Sequence, residues 1–173
     1  MRIASLILIT VLFSLQAFAQ TNSNKINEIR KTVSQINNDS GYSIRKLENE
    51  EFLGQMTDNG GVLTGYFKNE QLVKIIEWIG LSSCVNITEY YLQNNKLIFV
   101  FIKGSESPYV DSLETFDHSK LIKKMECRFY YDDNKMVKAI LSGATRCGGQ
   151  PKKDWAKDYF ENYLRDKKLL EKK

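Results

Sequence analysis

The sequence is poor in the residues that most catalytic and metal sites need. It has one histidine, His118, and three cysteines with no C-x-x-C pair among them. His118 lies between Asp117 and Ser119 without a nucleophile-elbow pattern nearby, so a Ser-His-Asp or Cys-His site has no support. Zinc is disfavoured because the cysteines and the histidine are not at ligand spacing. We therefore expect no catalytic residue, no cofactor and no metal ion.

Only one apolar run is long, and it lies at the N-terminus. Residues 3–19 carry no charge, Arg2 precedes them, and Ala17-Phe18-Ala19 stands before Gln20 as an A-x-A cleavage site. The run is shorter than the roughly 20 residues of a membrane-spanning helix. These features predict that residues 1–19 are a cleaved signal peptide and that residues 20–173 form one domain in the periplasm or outside the cell. We do not expect the chain to span a membrane after cleavage.

Positive and negative charges are balanced in most of the chain. The formal net charge is +4, and the segment from Lys152 onward has eight Lys or Arg against five Asp or Glu. Residues 20–151 are neutral, so the basic excess is assigned to a C-terminal helical tail. No basic face interleaved with stacking aromatics is evident, which argues against a nucleic-acid partner.

Apolar spacing predicts a helix at each end of residues 20–173. Residues 21–40 have apolar side chains at intervals of three and four, which is one face of a helix. Near the C-terminus, Trp155, Tyr159 and Tyr163 follow at intervals of four, and Pro151 is placed to begin that helix. Both helices are expected to cover a sheet.

Three segments between these helices share one layout, an aromatic-rich strand, a short polar turn and an apolar strand. They are residues 65–75, 89–100 and 128–138, with turns at Asn69-Glu70, Asn94-Asn95 and Asp133-Asn134. Asn and Asp tolerate the positive φ of a type I′ hairpin turn, whereas Glu70 tolerates it poorly and predicts a looser first turn. Three hairpins predict an α+β fold, an antiparallel meander of about six strands flanked by the two helices.

Counting outward from each turn assigns the cross-strand pairs. The second hairpin pairs Tyr90 with Phe99, and the third pairs Arg128 with Ala139. Apolar side chains then occupy both faces near the turns, so the sheet is expected to be covered on two sides there.

A long connection, residues 104–122, separates the second and third hairpins. Connections beyond about 12 residues usually carry function, a helix or disorder, and one or two helical turns are expected between Asp111 and Lys120. Asp111, Glu114 and Asp117 recur at intervals of three and would face one way on such a turn. The loop pattern of a calcium site is absent.

The three cysteines are Cys84, Cys127 and Cys147. Export favours an oxidising compartment, in which one disulfide forms and one thiol is left over. Three pairings are open from the sequence, as is the alternative of three separate structural cysteines.

The repeated unit is an aromatic pair, a turn with Asn or Asp, then Lys/Gln-Leu/Met-Val/Ile. This unit, together with the A-F-A-Q cleavage site, resembles small exported proteins of the Bacteroidota type that carry Y-F-x-N-x-K-L hairpins. The resemblance covers residues 1 to about 141. The unit is also similar to MORN-like hairpin repeats. Neither resemblance implies catalytic residues.

These patterns favour a non-catalytic binding module or cell-envelope accessory protein whose partner is an envelope protein or a glycan. The surplus of Tyr and Phe on both strand faces predicts an exposed aromatic surface. The candidate partner-binding residues are Tyr66, Tyr90, Tyr130, Asp111, Glu114 and Asp117. The alternatives are a small hydrolase using the carboxylates of Glu114 and Asp117, or an inhibitor of a secreted enzyme. The sequence leaves the oligomeric state open.

Overall fold

The computed structural model of this chain describes residues 23–172, in which two helices cover opposite faces of one antiparallel sheet. The predicted signal peptide, residues 1–19, lies outside the described residues. In chain order the strands are β1 (Ser43–Glu48), β2 (Gly61–Lys68), β3 (Gln71–Gly80), β4 (Cys84–Gln93), β5 (Lys96–Glu106), β6 (Tyr109–Val110), β7 (Thr115–Phe116), β8 (Ile122–Asp132) and β9 (Lys135–Gly143). The helices are α1 (residues 23–38), the single turn α2 (Glu50–Leu53) and α3 (Trp155–Glu171).

The large sheet has seven strands in the order β1-β2-β3-β4-β5-β8-β9, all antiparallel to their neighbours. The predicted α+β class and its three hairpins are confirmed, with β1 as the additional strand. The β1 sequence has only Ile44 and Leu47 as apolar residues, and their spacing of three is not the alternation that marks a strand. An edge position tolerates this pattern because one side of the strand stays in solvent.

The three hairpin turns adopt one conformation. Both central residues of each turn have positive φ, and Glu70, at 63°, does not differ from Asn95 at 65° or Asn134 at 64°. The expectation of a looser first turn was therefore wrong. Tertiary pairing of the flanking strands holds Glu70 in a conformation that its own side chain disfavours.

Each hairpin also contains a bulge two residue pairs away from its turn. The extra residues are Val73, Ile98 and Val137, so the register shifts by one after each of them. Tyr90 consequently pairs with Val100, and Arg128 pairs with Ile140, which corrects the pairs obtained by counting outward from the turns. A bulge adds one unpaired residue to one strand, and a symmetric count cannot detect it.

Helix α3 covers one face of the sheet and forms the larger core. Its aromatic stripe packs on the buried side chains of Phe129 and Tyr131, as the spacing predicts. The helix begins at Trp155, four residues after Pro151, because a separate turn at Lys153 precedes it. Leu170 is 1% exposed, so the basic segment is anchored in the core almost to its end.

Helix α1 covers part of the opposite face. Its Ile26 and Ile29 are buried with the aromatic side chains of Tyr91, Phe99 and Tyr130. The prediction that both faces are covered near the turns is confirmed. Toward the other end of the strands this face is open, and Trp78 and Phe101 remain partly exposed there.

A disulfide joins Cys84 at the start of β4 to Cys147 in the loop before α3, with a Cα–Cα distance of 6.4 Å. Cys127 is a free thiol buried in the core. The long connection forms the small β6–β7 sheet around a 3-10 turn at Asp111–Leu113, which accounts for its predicted helical turn. None of the helices described between residues 23 and 172 has both the length and the apolar content needed to cross a bilayer.

Candidate functional site: the α1 groove

A groove of about 530 Å³ lies between α1 and the open part of the sheet. We call it the α1 groove. Its wall is one side of α1, from which Arg30, Val33, Ser34 and Asn37 project at intervals of one, three and four residues. That spacing places the four side chains on a single helical face, so the amphipathic pattern of α1 determines the wall.

The floor of the α1 groove is a straight row of side chains across four neighbouring strands. Glu89 of β4 pairs with Phe101 of β5, Phe101 pairs with Arg128 of β8, and Arg128 pairs with Ile140 of β9. Paired residues on adjacent strands share a face of the sheet. Neighbouring strands lie about 4.8 Å apart, so the backbones at Glu89 and Arg128 are separated by about 10 Å.

Two guanidinium groups form the cationic end of the α1 groove. The Arg30 Cζ lies 5.7 Å from the centroid of the Tyr130 ring, and its Nε donates to the Tyr130 hydroxyl at 3.3 Å. The Arg128 Cζ lies 5.4 Å from the centroid of the Phe101 ring, and its Nη2 contacts the carboxylate of Glu126. Among the residues between 23 and 172, Arg30 has no carboxylate within ion-pair distance. Both guanidinium groups are oriented by aromatic rings and reach solvent.

Glu89 forms the anionic end. Lys74 pairs with its Oε2 at 2.7 Å, and the Tyr91 hydroxyl donates to the same oxygen. Burial and this hydrogen bond raise the pKa of Tyr91, so the hydroxyl stays protonated over the ordinary pH range. Both contacts use Oε2, which leaves Oε1 able to accept a hydrogen bond from a ligand.

The structure changes the interpretation of the three predicted tyrosines. Tyr90 is fully buried under α3 against Tyr163, and Tyr130 is 2% exposed beneath α1. Neither belongs to an exposed surface, because the two helices cover the aromatic side chains near the turns. Tyr66 is half-buried and packs edge-on against Tyr42, with 6.0 Å between ring centroids. An exposed aromatic face formed by these three residues is therefore not present.

The three acidic candidate side chains in the 104–122 connection do not form one cluster. Asp111 and Glu114 are exposed at the 3-10 turn. Asp117 accepts hydrogen bonds from the Ser119 hydroxyl and from the Ser119 backbone N–H, and it pairs with Lys120; these contacts lower the pKa of its carboxyl group. Between residues 23 and 172, no group of three or more His, Cys, Asp and Glu side chains is arranged to hold a metal ion.

Sequence reasoning missed Arg30, Glu89 and Arg128. One signal was available, since Glu89 and Arg128 each stand five residues before the first turn residue of their hairpins, at Asn94 and Asp133. Charges of opposite sign therefore occupy equivalent positions of two repeats. Their alignment in one row depends on the bulge at Ile98 and on the pairing of β5 with β8, which the sequence did not reveal.

A second cluster of ionisable groups lies under α3, away from the α1 groove. Glu77 of β3 and Asp166 of α3 are 7% and 0% exposed. Arg165 contacts both of them. Burial and the negative charge of Asp166 raise the pKa of Glu77 to about 7. Asp166 Oδ2 and the nearby Tyr90 hydroxyl are buried without a hydrogen-bond partner among the described residues.

Comparison of the chain with protein-family models, with curated proteins and with solved structures yields no match to any of them.

Proposed function

We propose that this protein is an exported, non-catalytic binding module that holds its ligand in the α1 groove. The observation that carries the proposal is the charge pattern of the groove, with Arg30 and Arg128 at one end, Phe101 in the middle and Glu89 at the other end. Oriented charges of opposite sign around an apolar middle are suited to fixing the direction of a bound molecule. The volume of the groove is in the range typical of small-ligand sites.

The contacts around the charged groups support binding more than chemistry. Lys74 pairs with Glu89 and Glu126 pairs with Arg128, so both side chains are held in place by partners outside the groove. Arg30 is held by the Tyr130 hydroxyl instead. Such pairing reduces the side-chain entropy lost when a ligand binds.

Export is the second part of the proposal. The Cys84–Cys147 disulfide supports it, because structural disulfides persist mainly outside the reducing cytoplasm. The similarity of the leader and the hairpins to small exported proteins of the Bacteroidota type also supports export. The intact mass of the protein recovered from the cell envelope or the medium tests this part. We expect a chain that begins at Gln20, and a mass that includes residues 1–19 would contradict export with cleavage.

A pair of tryptophan substitutions on α1 tests the role of the groove. Ser34 is exposed and lines the groove, whereas the neighbouring Gln35 is exposed on the same helix and does not line it. Ser34→Trp fills the groove without changing the charge, and Gln35→Trp is the matched control. The probes are di- to pentapeptides, chitotriose and trigalacturonate, each titrated into 15N-labelled protein.

We expect at least one probe to shift resonances of groove residues such as Val33 and Phe101. Ser34→Trp should abolish those shifts and Gln35→Trp should keep them. The proposal fails if no probe shifts these resonances, or if Ser34→Trp binds as well as the unmodified protein.

A further inference from the structure

We infer that the ligand of the α1 groove is a short peptide with free ends, about three residues long. Its carboxylate binds at Arg30 and Arg128, and its ammonium group binds at Glu89. This inference rests on the proposed function and specifies the chemical class of the ligand.

The cationic end is suited to a carboxylate. A guanidinium group presents a planar set of N–H donors that matches the two oxygens of a carboxylate. The Tyr130 hydroxyl accepts a hydrogen bond from the Nε of Arg30. Among the described residues, neither Nη atom of Arg30 donates a hydrogen bond, so both can donate to a ligand. The Tyr130 and Phe101 rings hold the two guanidinium groups in position before a ligand arrives.

The separation of the charged ends determines the length of the peptide. Glu89 and Arg128 are two strand spacings apart, which is about 10 Å. An extended chain advances about 3.3–3.6 Å per residue, so three residues connect the two ends. We expect a tripeptide to match the spacing of these two backbone positions better than a dipeptide or a pentapeptide does.

The middle of the groove is apolar and selects the central residue. Phe101 and Phe99 form the floor there, and Val33 forms the wall. An apolar central side chain is therefore preferred over a charged one, because Phe101 and Val33 would otherwise desolvate that charge without a partner.

The same geometry disfavours a saccharide. Sugar recognition on a sheet commonly uses bare aromatic faces, whereas three rings at this groove are covered by cations. Arg30 lies over Tyr130, Arg128 lies over Phe101, and the Lys74 Nζ lies 4.8 Å from the centroid of the Tyr91 ring. A neutral or acidic sugar also offers no ammonium group for Glu89.

Calorimetric titration with Ala-Leu-Ala and its end-blocked derivatives tests the inference on residues 20–173. We expect N-acetylation and C-terminal amidation each to weaken binding about tenfold, since each removes one charged contact. Ala-Leu and a pentapeptide should bind more weakly than the tripeptide, and so should Ala-Asp-Ala.

Charge-removing variants assign each end of the peptide. Arg30→Gln and Arg128→Gln should remove the preference for a free carboxylate, and Glu89→Gln should remove the preference for a free ammonium group. Lys31→Gln is the matched control, because Lys31 is exposed on the same helix and does not line the groove. The readout is the affinity ratio of free to blocked peptide, which is unaffected by a uniform loss of folded protein.

Two results would overturn the peptide inference while the proposed function stands. One is that an end-blocked tripeptide binds as tightly as the free tripeptide, and that Ser34→Trp abolishes this binding. The other is chitotriose or trigalacturonate binding in the groove more tightly than Ala-Leu-Ala. If no probe binds in the groove at all, both the inference and the proposed function fail.

Discussion

Tyr131 donates a hydrogen bond from its hydroxyl to the carbonyl oxygen of Ala156 at 2.6 Å, which joins β8 to the first turn of α3. Tyr90 lies in the same core, and its hydroxyl is buried without a hydrogen-bond partner among the described residues. The two tyrosines thus have similar burial, 2% and 0%, and opposite states of hydrogen bonding.

We predict that removing the two hydroxyls has different effects on stability. Tyr131→Phe should lower the free energy of unfolding by about 1 kcal/mol, because it removes a hydrogen bond that is buried in the core. Tyr90→Phe should leave the free energy of unfolding unchanged or raise it slightly, because the hydroxyl that this substitution removes has no partner among the described residues. Urea unfolding of the two variants measures the difference, and equal losses would contradict this account.

Stability should fall as the pH rises from about 4.5 toward 7. Burial raises the pKa of Glu77 from 4.5 to about 7, so the folded protein holds this proton more tightly than the unfolded chain does. The contribution of Glu77 is fully present below pH 4.5 and is lost as the pH approaches 7. A shift of this size corresponds to a loss on the order of 3 kcal/mol.

Glu77→Gln isolates this contribution, because the amide has nearly the same shape as the carboxyl group and does not titrate. The unfolding free energy of this variant, measured from pH 4 to pH 8, should decline less than that of the unmodified protein. Glu161→Gln is the control, since Glu161 is an exposed carboxylate on α3. Parallel pH profiles for the unmodified protein and Glu77→Gln would rule out the effect.

The disulfide should contribute substantially to stability. It closes a loop of 63 residues between Cys84 and Cys147. Loop-closure entropy predicts that the double variant Cys84→Ala, Cys147→Ala is less stable by about 4 kcal/mol. A reducing agent should destabilise the unmodified protein by a similar amount and should not affect the double variant. Chemical denaturation with and without reductant measures both changes, and no effect of reductant on the unmodified protein would contradict the bridge.

Glu70 is a site where a single substitution should stabilise the protein. Its φ of 63° is in the left-handed region, which a glutamate adopts at a cost of about 1 kcal/mol. Glu70→Gly and Glu70→Asn should each raise the midpoint of thermal unfolding. The reciprocal change Asn95→Glu, at the equivalent position of the second hairpin, should lower it. A stabilising Asn95→Glu would show that the turn conformation does not limit stability.

The sequence determined the two long helices, the three hairpins and their order. Apolar spacing of three and four identified α1 and α3, and the repeated aromatic–turn–apolar layout identified the three hairpins with their turns. These signals are local, because helix period, strand composition and turn chemistry each depend on residues close in the chain. β1 was missed because its side chains do not alternate and its place at the sheet edge is set by pairing with β2.

Only the tertiary structure decided how those elements meet. Three pairings of the cysteines, and the alternative of three separate cysteines, were open until the fold brought Cys84 and Cys147 together. The bulge at Ile98 sets the register that places Phe101 beside Glu89, and the pairing of β5 with β8 places Arg128 beside Phe101. Register, pairing and the covering of Tyr90 and Tyr130 by helices depend on contacts between residues far apart in the chain. Local patterns therefore specified the parts of this protein, and long-range packing created the α1 groove.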